Sequence, residues 1–164
     1  METQRTRTYT WDDPLVALEK AKALTGLEYI KQMHAGKIAP PPILDTAGIS
    51  MFSVKEGDVV FLIHPQEFQY NPIGSVHGGI ITTILDSAIG CSLHTVLEKN
   101  TAYTTLEIKV NFMRKITHKT PPLHTETTII HRGRSTALLE SKLIDSDQSI
   151  YAYASSTCMI FNLS

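Results

Sequence analysis

Residues 71–97 read NPIGSVHGGIITTILDSAIGCSLHTVL. After the glycines, the apolar residues recur on every side of a helix: Ile80, Ile81, Ile84, Leu85, Ala88, Ile89, Leu93, Val96 and Leu97. A helix that is hydrophobic all round is buried inside a core. The sequence therefore predicts one long central helix over roughly 76–97, enclosed by the rest of the fold.

The start of this helix is suited to holding a carbonyl oxygen. Gly78 and Gly79 follow His77, and two glycines let the backbone approach a ligand closely. The first N–H groups of a helix have no partner within it, and they lie at the positive end of the helix dipole. Such donors stabilise an oxygen that becomes negative during nucleophilic attack. The turn His77-Gly78-Gly79 is therefore a candidate oxyanion site.

Asp86 is the only carboxylate in the predicted helix. A charge among so many apolar residues needs a compensating role. Nine residues separate it from His77, so the two lie roughly 13 Å apart along the axis and about half a turn apart around it. One helix cannot direct both residues at one substrate carbonyl. If both serve one site, a second copy of the chain supplies one of them, most simply across a two-fold axis.

The elements around this helix predict an α+β architecture. Asp12 or Asp13 followed by Pro14 begins a short helix, and Thr25 with Glu28 forms a capping box for a second helix that ends at Gly36. Extended chain is expected from Ile43 to Ile63, with a hairpin turn at residues 56–58. Four Thr-, Ile-, Val- and Tyr-rich stretches follow at about 102–116, 122–131, 135–145 and 149–161. Consecutive strands on short turns favour one antiparallel sheet wrapped around the helix.

Composition excludes several classes of function. The chain has 164 residues, 15 basic and 16 acidic, for a formal charge of −1, so it has no overall basic field for nucleic acid. Neither a signal peptide nor a membrane span is predicted, and we expect a cytoplasmic protein. Cys91 and Cys158 are interpreted as small buried hydrophobic residues. The seven scattered histidines predict no metal site.

Beyond these local patterns, the order of elements resembles the hotdog-fold acyl-CoA thioesterases of the phenylacetic-acid-degradation (PaaI-like) type. The resemblance covers about residues 40–161. It rests on Asn71, Gly74, the His77-Gly78-Gly79 turn, Asp86, the strand Thr105-Leu106-Glu107-Ile108-Lys109-Val110-Asn111-Phe112, and Gly133-Arg134-Ser135. Two departures stand out, since Met113-Arg114-Lys115 follows Phe112 in place of the family's frequent proline, and about 40 N-terminal residues exceed the family core.

The resemblance implies a division of the chain and an assembly. Residues 1–40 would be an N-terminal helical extension, and residues 41–164 a hotdog domain in which a curved antiparallel sheet wraps the long helix. Two chains would pair their sheets into a homodimer, and pairs of dimers would make a homotetramer. The implied substrate is an acyl-CoA thioester, and no cofactor is implied because CoA is part of the substrate.

The resemblance also implies roles for particular residues. Asp86 would be the catalytic carboxylate and the Gly78 backbone N–H the oxyanion donor, while His77 and Asn71 would hold the carbonyl and the loop. Thr105 stands where the family often has a hydroxyl residue that orients water. The implied substrate-binding residues are Gly79, Gly133, Arg134 and Ser135.

Several alternatives remain open from the sequence. Asp86 can act as a general base on water or attack the carbonyl itself through a mixed anhydride. Two other functions fit the same fold class, a dehydratase acting on 3-hydroxyacyl thioesters and a non-catalytic acyl-CoA binding protein. The sequence does not distinguish an aryl from an aliphatic acyl group.

Overall fold

A computed structural model describes residues 4–163 and confirms the predicted α+β hotdog architecture. The helices are α1 (Pro14–Lys22), α2 (Gly26–His34), α3 (Ile43–Ala47) and α4 (Gly78–His94). The strands are β1 (Ile49–Lys55), β2 (Asp58–Ile63), β3 (Thr101–Phe112), β4 (Leu123–Arg132), β5 (Thr136–Ile144) and β6 (Ile150–Asn162). Within the described residues they form one six-stranded sheet in the order β1-β2-β4-β5-β6-β3, with every neighbouring pair antiparallel.

Helix α4 lies against one face of this sheet and is the centre of the core. Eight of its residues are buried: Ile81, Ile84, Leu85, Ala88, Ile89, Gly90, Ser92 and Leu93. Small residues on the facing side of β6 leave room for the helix: Ala152, Ala154, Ser156 and Cys158. The predicted helix is thus confirmed, although it is shorter at both ends than the expected 76–97.

The polar side chains of α4 are satisfied locally or tie the helix to the β1–β2 hairpin. The hydroxyls of Thr82, Thr83 and Ser87 each donate to the carbonyl four residues earlier. Ser92 Oγ accepts from the Val59 N–H, and Thr95 Oγ1 accepts from the Gly57 N–H at 2.7 Å. The helix therefore buries hydroxyl groups without leaving them unpaired.

The predicted extended chain from Ile43 is wrong over its first residues. Residues 43–47 form α3 instead of extended chain, and the hairpin begins only at Ile49, with Gly57 at φ +77° in its turn. The four later strands do not all pair in sequence order, because β3 crosses to the far side of β6 and becomes an edge strand. Its neighbour in sequence, β4, pairs with β2 and β5 instead.

The N-terminal segment packs on the same chain. Asp13 caps α1, and the predicted capping box of Thr25 and Glu28 begins α2. Residues 5–9 run along the loop after β2 and along α3, where the Arg7 guanidinium donates to the Asp45 carbonyl and lies 4.0 Å from the Phe68 ring centroid. Residues 1–3 lie outside the described residues.

Close approach to α4 fixes the position of α2. The Gly26 N–H donates to the Leu97 carbonyl at 3.0 Å, and a Cβ at Gly26 would lie 1.7 Å from the His94 carbonyl oxygen. Ile30 and Met33 are buried on the next turns. The absence of a side chain at Gly26 therefore allows this contact between the two helices.

Among residues 4–163, no helix is long and apolar enough to cross a membrane. No group of three or more His, Cys, Asp or Glu in that range could hold a metal ion.

We expect Gly26→Ala to lower the free energy of unfolding by about 1–3 kcal/mol, because the clash with backbone can be relieved only by moving α2. Chemical denaturation measures this. Lys31→Ala, on the exposed side of the same helix, is the control and should change stability by less than about 0.5 kcal/mol. Equal effects of the two substitutions would contradict the packing argument.

Candidate functional site

Asp86 and Thr105 form a hydrogen-bonded pair between α4 and the edge strand. The Thr105 hydroxyl donates to Asp86 Oδ1 at 2.9 Å, and both side chains are half-buried. Thr105 pairs with Cys158, whose side chain is fully buried, so the strand alternation directs the Thr105 side chain toward α4. Two residues predicted separately from sequence are thus brought together, and the hydroxyl fixes the orientation of the carboxylate.

The groups around Asp86 are kept neutral. Burial raises the pKa of the Cys91 thiol to about 12, and the negative charge of Asp86 adds to the shift. Burial likewise raises the pKa of Tyr103 well above its usual value. A thiol that stays protonated at neutral pH is a poor nucleophile. Cys91 therefore fits the predicted structural role, which leaves Asp86 as the candidate reactive group of this region.

Asn71 orders the loop that leads into α4. Its Oδ1 accepts from the N–H groups of Ile73 and Ser75, and its Nδ2 donates to the Ser75 hydroxyl at 3.0 Å. The Asn71 backbone N–H also donates to the Ser75 carbonyl. The side chain is thus used within its own loop, where Gly74 takes a positive φ of +74°.

The start of α4 leaves one backbone donor free. His77 is the N-cap residue, and its Nδ1 accepts from the Gly79 N–H at 2.8 Å. The N–H groups of Ile80 and Ile81 donate to the His77 carbonyl. Within residues 4–163, the Gly78 N–H donates to no protein acceptor. Gly78 therefore presents the unpaired donor, whereas the N–H of Gly79, a predicted substrate-binding residue, is engaged by the cap.

These two groups lie in separate cavities of the single chain. Asp86 lines a cavity of about 450 Å³ between α4 and the N-terminal helices. Gly78 and Asn71 line a groove of about 430 Å³ beside Phe112 and Lys115. Eight residues of helix place Asp86 about 12 Å from Gly78 along the axis. One chain thus carries two separate candidate half-sites.

The turn between β4 and β5 holds the remaining predicted residues. Gly133 donates its N–H to the Thr136 carbonyl, and the Ser135 carbonyl accepts from the Ile160 N–H at 2.8 Å. Arg134 and Ser135 are exposed. Strands β5 and β3 lie on either side of β6. The registers place this turn at the same end of the sheet as Thr105. The turn is therefore far from Gly78 in the same chain.

Sequence reasoning missed two groups of residues near these half-sites. Phe112 packs over Gly78, where an added Cβ would lie 3.1 Å from the ring. Tyr29, His94 and Tyr103 form an aromatic cluster in the Asp86 cavity. Phe112 was within a recognised strand pattern, but only the fold brings Tyr29 of α2 to His94 of α4.

A long helix enclosed by an antiparallel sheet, with a carboxylate inside and a free amide at the helix start, defines a hotdog-fold protein with a candidate acyl site. Residues 73–152 match the family model of the thioesterase superfamily. The match covers 80 of the 164 residues. It confirms the predicted resemblance and the predicted class of enzyme, a thioester hydrolase.

Individual proteins support the same assignment. A 1,4-dihydroxy-2-naphthoyl-CoA hydrolase of Listeria monocytogenes is 27% identical over 71% of this chain and 93% of its own length. The E. coli PaaI protein, from the phenylacetic acid degradation operon, is 16% identical with a TM-score of 0.71, over 88% of this chain and 99% of its own. A thioesterase of Haemophilus influenzae is 18% identical with a TM-score of 0.70, over 84% and 91%. At these identities the two solved structures establish the fold alone.

The cap at His77 generates a stability prediction. We expect His77→Ala to lower the free energy of unfolding by about 1 kcal/mol, because the Gly79 N–H loses its acceptor. His77→Asn is the matched control, since Asn is a good N-cap and should retain most of that stability. Thermal unfolding of the two variants measures the difference, and equal melting temperatures would contradict the capping role.

Proposed function

We propose that this thioester hydrolase is an acyl-CoA thioesterase that releases a carboxylic acid and free CoA. The observation that carries the proposal is that Thr105 holds the Asp86 carboxylate while the Gly78 N–H has no acceptor among residues 4–163. A hydrolysis of this kind needs a base or nucleophile and an oxyanion donor, and the two half-sites supply one each. The similarity to a naphthoyl-CoA hydrolase supports CoA as the thiol.

The active site is proposed to form between two chains. Strand β3 is 12 residues long and lies at the edge of the sheet, so one of its sides has no strand beside it among residues 4–163. Long unpaired edges are sites of strand pairing with another chain. Leu106 and Phe112 on this strand are more than half exposed. An antiparallel β3–β3 pair would cover them and join the sheets of two chains.

Register makes this pairing productive. Leu106 is the extra residue of a β-bulge between Thr105 and Glu107. If the two-fold axis passes through Lys109, Thr105 of one chain therefore lies opposite Phe112 of the partner subunit. Phe112 packs on Gly78 in its own chain, and Thr105 is bonded to Asp86. The carboxylate of one chain would therefore approach the free N–H of the other. Without such pairing, Asp86 and Gly78 of one chain stay about 12 Å apart along α4.

In the proposed reaction, oxygen adds to the thioester carbonyl and the carbon–sulfur bond breaks. By the general-base route, Asp86 takes a proton from water as the water oxygen attacks the carbonyl carbon. The Gly78 N–H donates to the resulting oxyanion. When the oxyanion collapses, CoA leaves as a thiolate and takes up a proton. By the nucleophilic route, an Asp86 oxygen forms a mixed anhydride first, and water then hydrolyses it.

Other residues are proposed to support these two groups. Asn71 and His77 maintain the loop and cap that present Gly78, and Thr105 orients Asp86. Gly133, Arg134 and Ser135 would lie along the CoA path, where the Arg134 guanidinium suits a phosphate. Residues 41–164 would form the hotdog domain and residues 1–40 its extension. No cofactor is required because the reaction consumes only thioester and water. A tetramer of paired dimers and a cytoplasmic location stay predictions.

We expect Asp86→Asn to lower kcat with acyl-CoA by about 10²–10⁴-fold, since the amide keeps the size of the side chain but is a much weaker base and nucleophile. Thiol release from a panel of aliphatic and aryl acyl-CoA thioesters measures this. Glu98→Gln removes an exposed carboxylate beyond the end of α4 and should leave kcat unchanged. An Asp86→Asn variant with normal kcat would refute the role of Asp86.

The Gly78 donor can be tested by removing only its N–H. Gly78 is the first helical residue after the His77 cap, a position where proline is favoured because its missing N–H is not used in the helix. His77 has φ −63° and ψ 136°, which a following proline tolerates. We expect Gly78→Pro to lower kcat by about 10²–10³-fold relative to Gly78→Ala, which keeps the N–H.

Gly78→Ala is the matched control because both substitutions add a Cβ against the Phe112 ring. Steady-state kinetics with one acyl-CoA, together with thermal unfolding of both variants, separates chemistry from folding. If folded Gly78→Pro and Gly78→Ala have the same kcat, this N–H is not the oxyanion donor.

A further inference from the structure

We propose that α1 forms the outer wall of the acyl-chain pocket and limits the length of straight-chain acyl group that the enzyme accepts. This inference rests on the proposed function, because it assigns the substrate's acyl group to the cavity that Asp86 lines. The residues that carry it are Ala17 and Leu18 on α1 and the facing residues of α4.

The cavity runs along α4 away from Asp86. Asp86, Ser87, Cys91 and His94 all line it, so they mark one side of the helix over about two turns. From Asp86 to His94 the helix rises about 12 Å. A thioester whose carbonyl lies at Asp86 can therefore extend its hydrocarbon tail along the helix toward His94.

The N-terminal helices supply the opposite wall. Asp12 lines the cavity just before the N-cap of α1, and Pro14, Ala17 and Leu18 line it from α1 itself. Helix α2 contributes Tyr29 and Met33. Ala17 is half-buried, whereas Leu15 on the outer side of the same helix is 66% exposed. The two sides of α1 thus differ in surroundings, and its Ala17 side faces the cavity.

The far end of the cavity is apolar in character. The His94 ring lies between Tyr29 and Tyr103, with ring centroids 5.5 and 5.8 Å away. Burial lowers the pKa of His94, so its imidazole is neutral at physiological pH. Neutral rings at the end of an aliphatic channel favour a hydrocarbon terminus over a charged one.

Helix α1 is held only lightly to the rest of the chain. None of its residues is buried. The segment before it is attached through Arg7 on Phe68 and through a 3.0 Å hydrogen bond between the hydroxyls of Tyr9 and Thr46. Because the inner side of α1 borders space instead of packed core, an acyl tail in the cavity would fill that space. Contact between α1 and the tail therefore determines which acyl-chain lengths the pocket accepts.

The test compares acetyl-, octanoyl- and hexadecanoyl-CoA as substrates of the full chain. We expect Ala17→Trp, which adds an indole to the cavity side, to lower kcat/KM for octanoyl-CoA by about tenfold or more, because the tail loses burial of about two methylenes. Activity on acetyl-CoA, whose methyl does not reach α1, should stay within about twofold. Leu18→Ala should shift the preference toward hexadecanoyl-CoA.

Leu15→Trp is the matched control, since it adds the same ring to the exposed side of α1. It should leave the chain-length profile unchanged. If Ala17→Trp and Leu15→Trp give the same profile as the unaltered chain, or if acetyl- and octanoyl-CoA fall equally with Ala17→Trp in a folded protein, α1 does not select acyl length.

A binding measurement separates this proposal from the proposed function. Titration calorimetry of octanoyl-CoA with Asp86→Asn protein, with and without Ala17→Trp, reports the pocket without turnover. Weaker binding of octanoyl-CoA with Ala17→Trp supports the wall even if the unaltered chain hydrolyses none of the thioesters, a result that would overturn the proposed function alone. Equal binding of octanoyl-CoA by the two proteins overturns the wall.

Discussion

Burial of α4 is the constraint on which the rest of the structure depends. A helix with apolar residues on nearly every side has to be enclosed, and the antiparallel sheet encloses it with small residues where β6 passes closest. The buried hydroxyls of Ser92 and Thr95 then tie the β1–β2 hairpin to the same helix. Because the helix is fixed on several sides, its first turn and its single carboxylate have defined positions.

Because α4 is fixed in the core, its two candidate groups, Gly78 and Asp86, stay apart in one chain. Helix geometry separates Gly78 from Asp86 by about two turns, and the two line different cavities. Neither can move toward the other without disrupting the core. The order of strands leaves β3 at the edge, and β3 carries Thr105 next to one half-site and Phe112 next to the other. An edge strand that links the two candidate half-sites is the physical basis of the proposed two-fold assembly with shared sites.

The elements that the sequence predicted correctly have signals that lie within a few neighbouring residues. Apolar periodicity predicted α4, the capping box predicted α2, and the nine-residue spacing of His77 and Asp86 predicted that one helix cannot complete the site. Residues 43–47 were mistaken for extended chain because a five-residue helix is too short for its period to be evident. The edge position of β3 depends on which strand pairs with which, and no pattern inside a single strand encodes that choice. The aromatic cluster of Tyr29, His94 and Tyr103 likewise depends on the docking of α2, which the missing side chain of Gly26 permits.

Subunit complementation tests the shared site most directly. The proposed roles predict that Asp86→Asn and Gly78→Pro chains are each nearly inactive alone. A mixed dimer, however, contains one site with both native groups. Unfolding and refolding the two proteins together in equal amounts should restore about a quarter of the unaltered activity, since half of the dimers are mixed and each has one working site. Activity that stays at the level of the separate variants, although mixed dimers are present, would contradict a site formed from two chains.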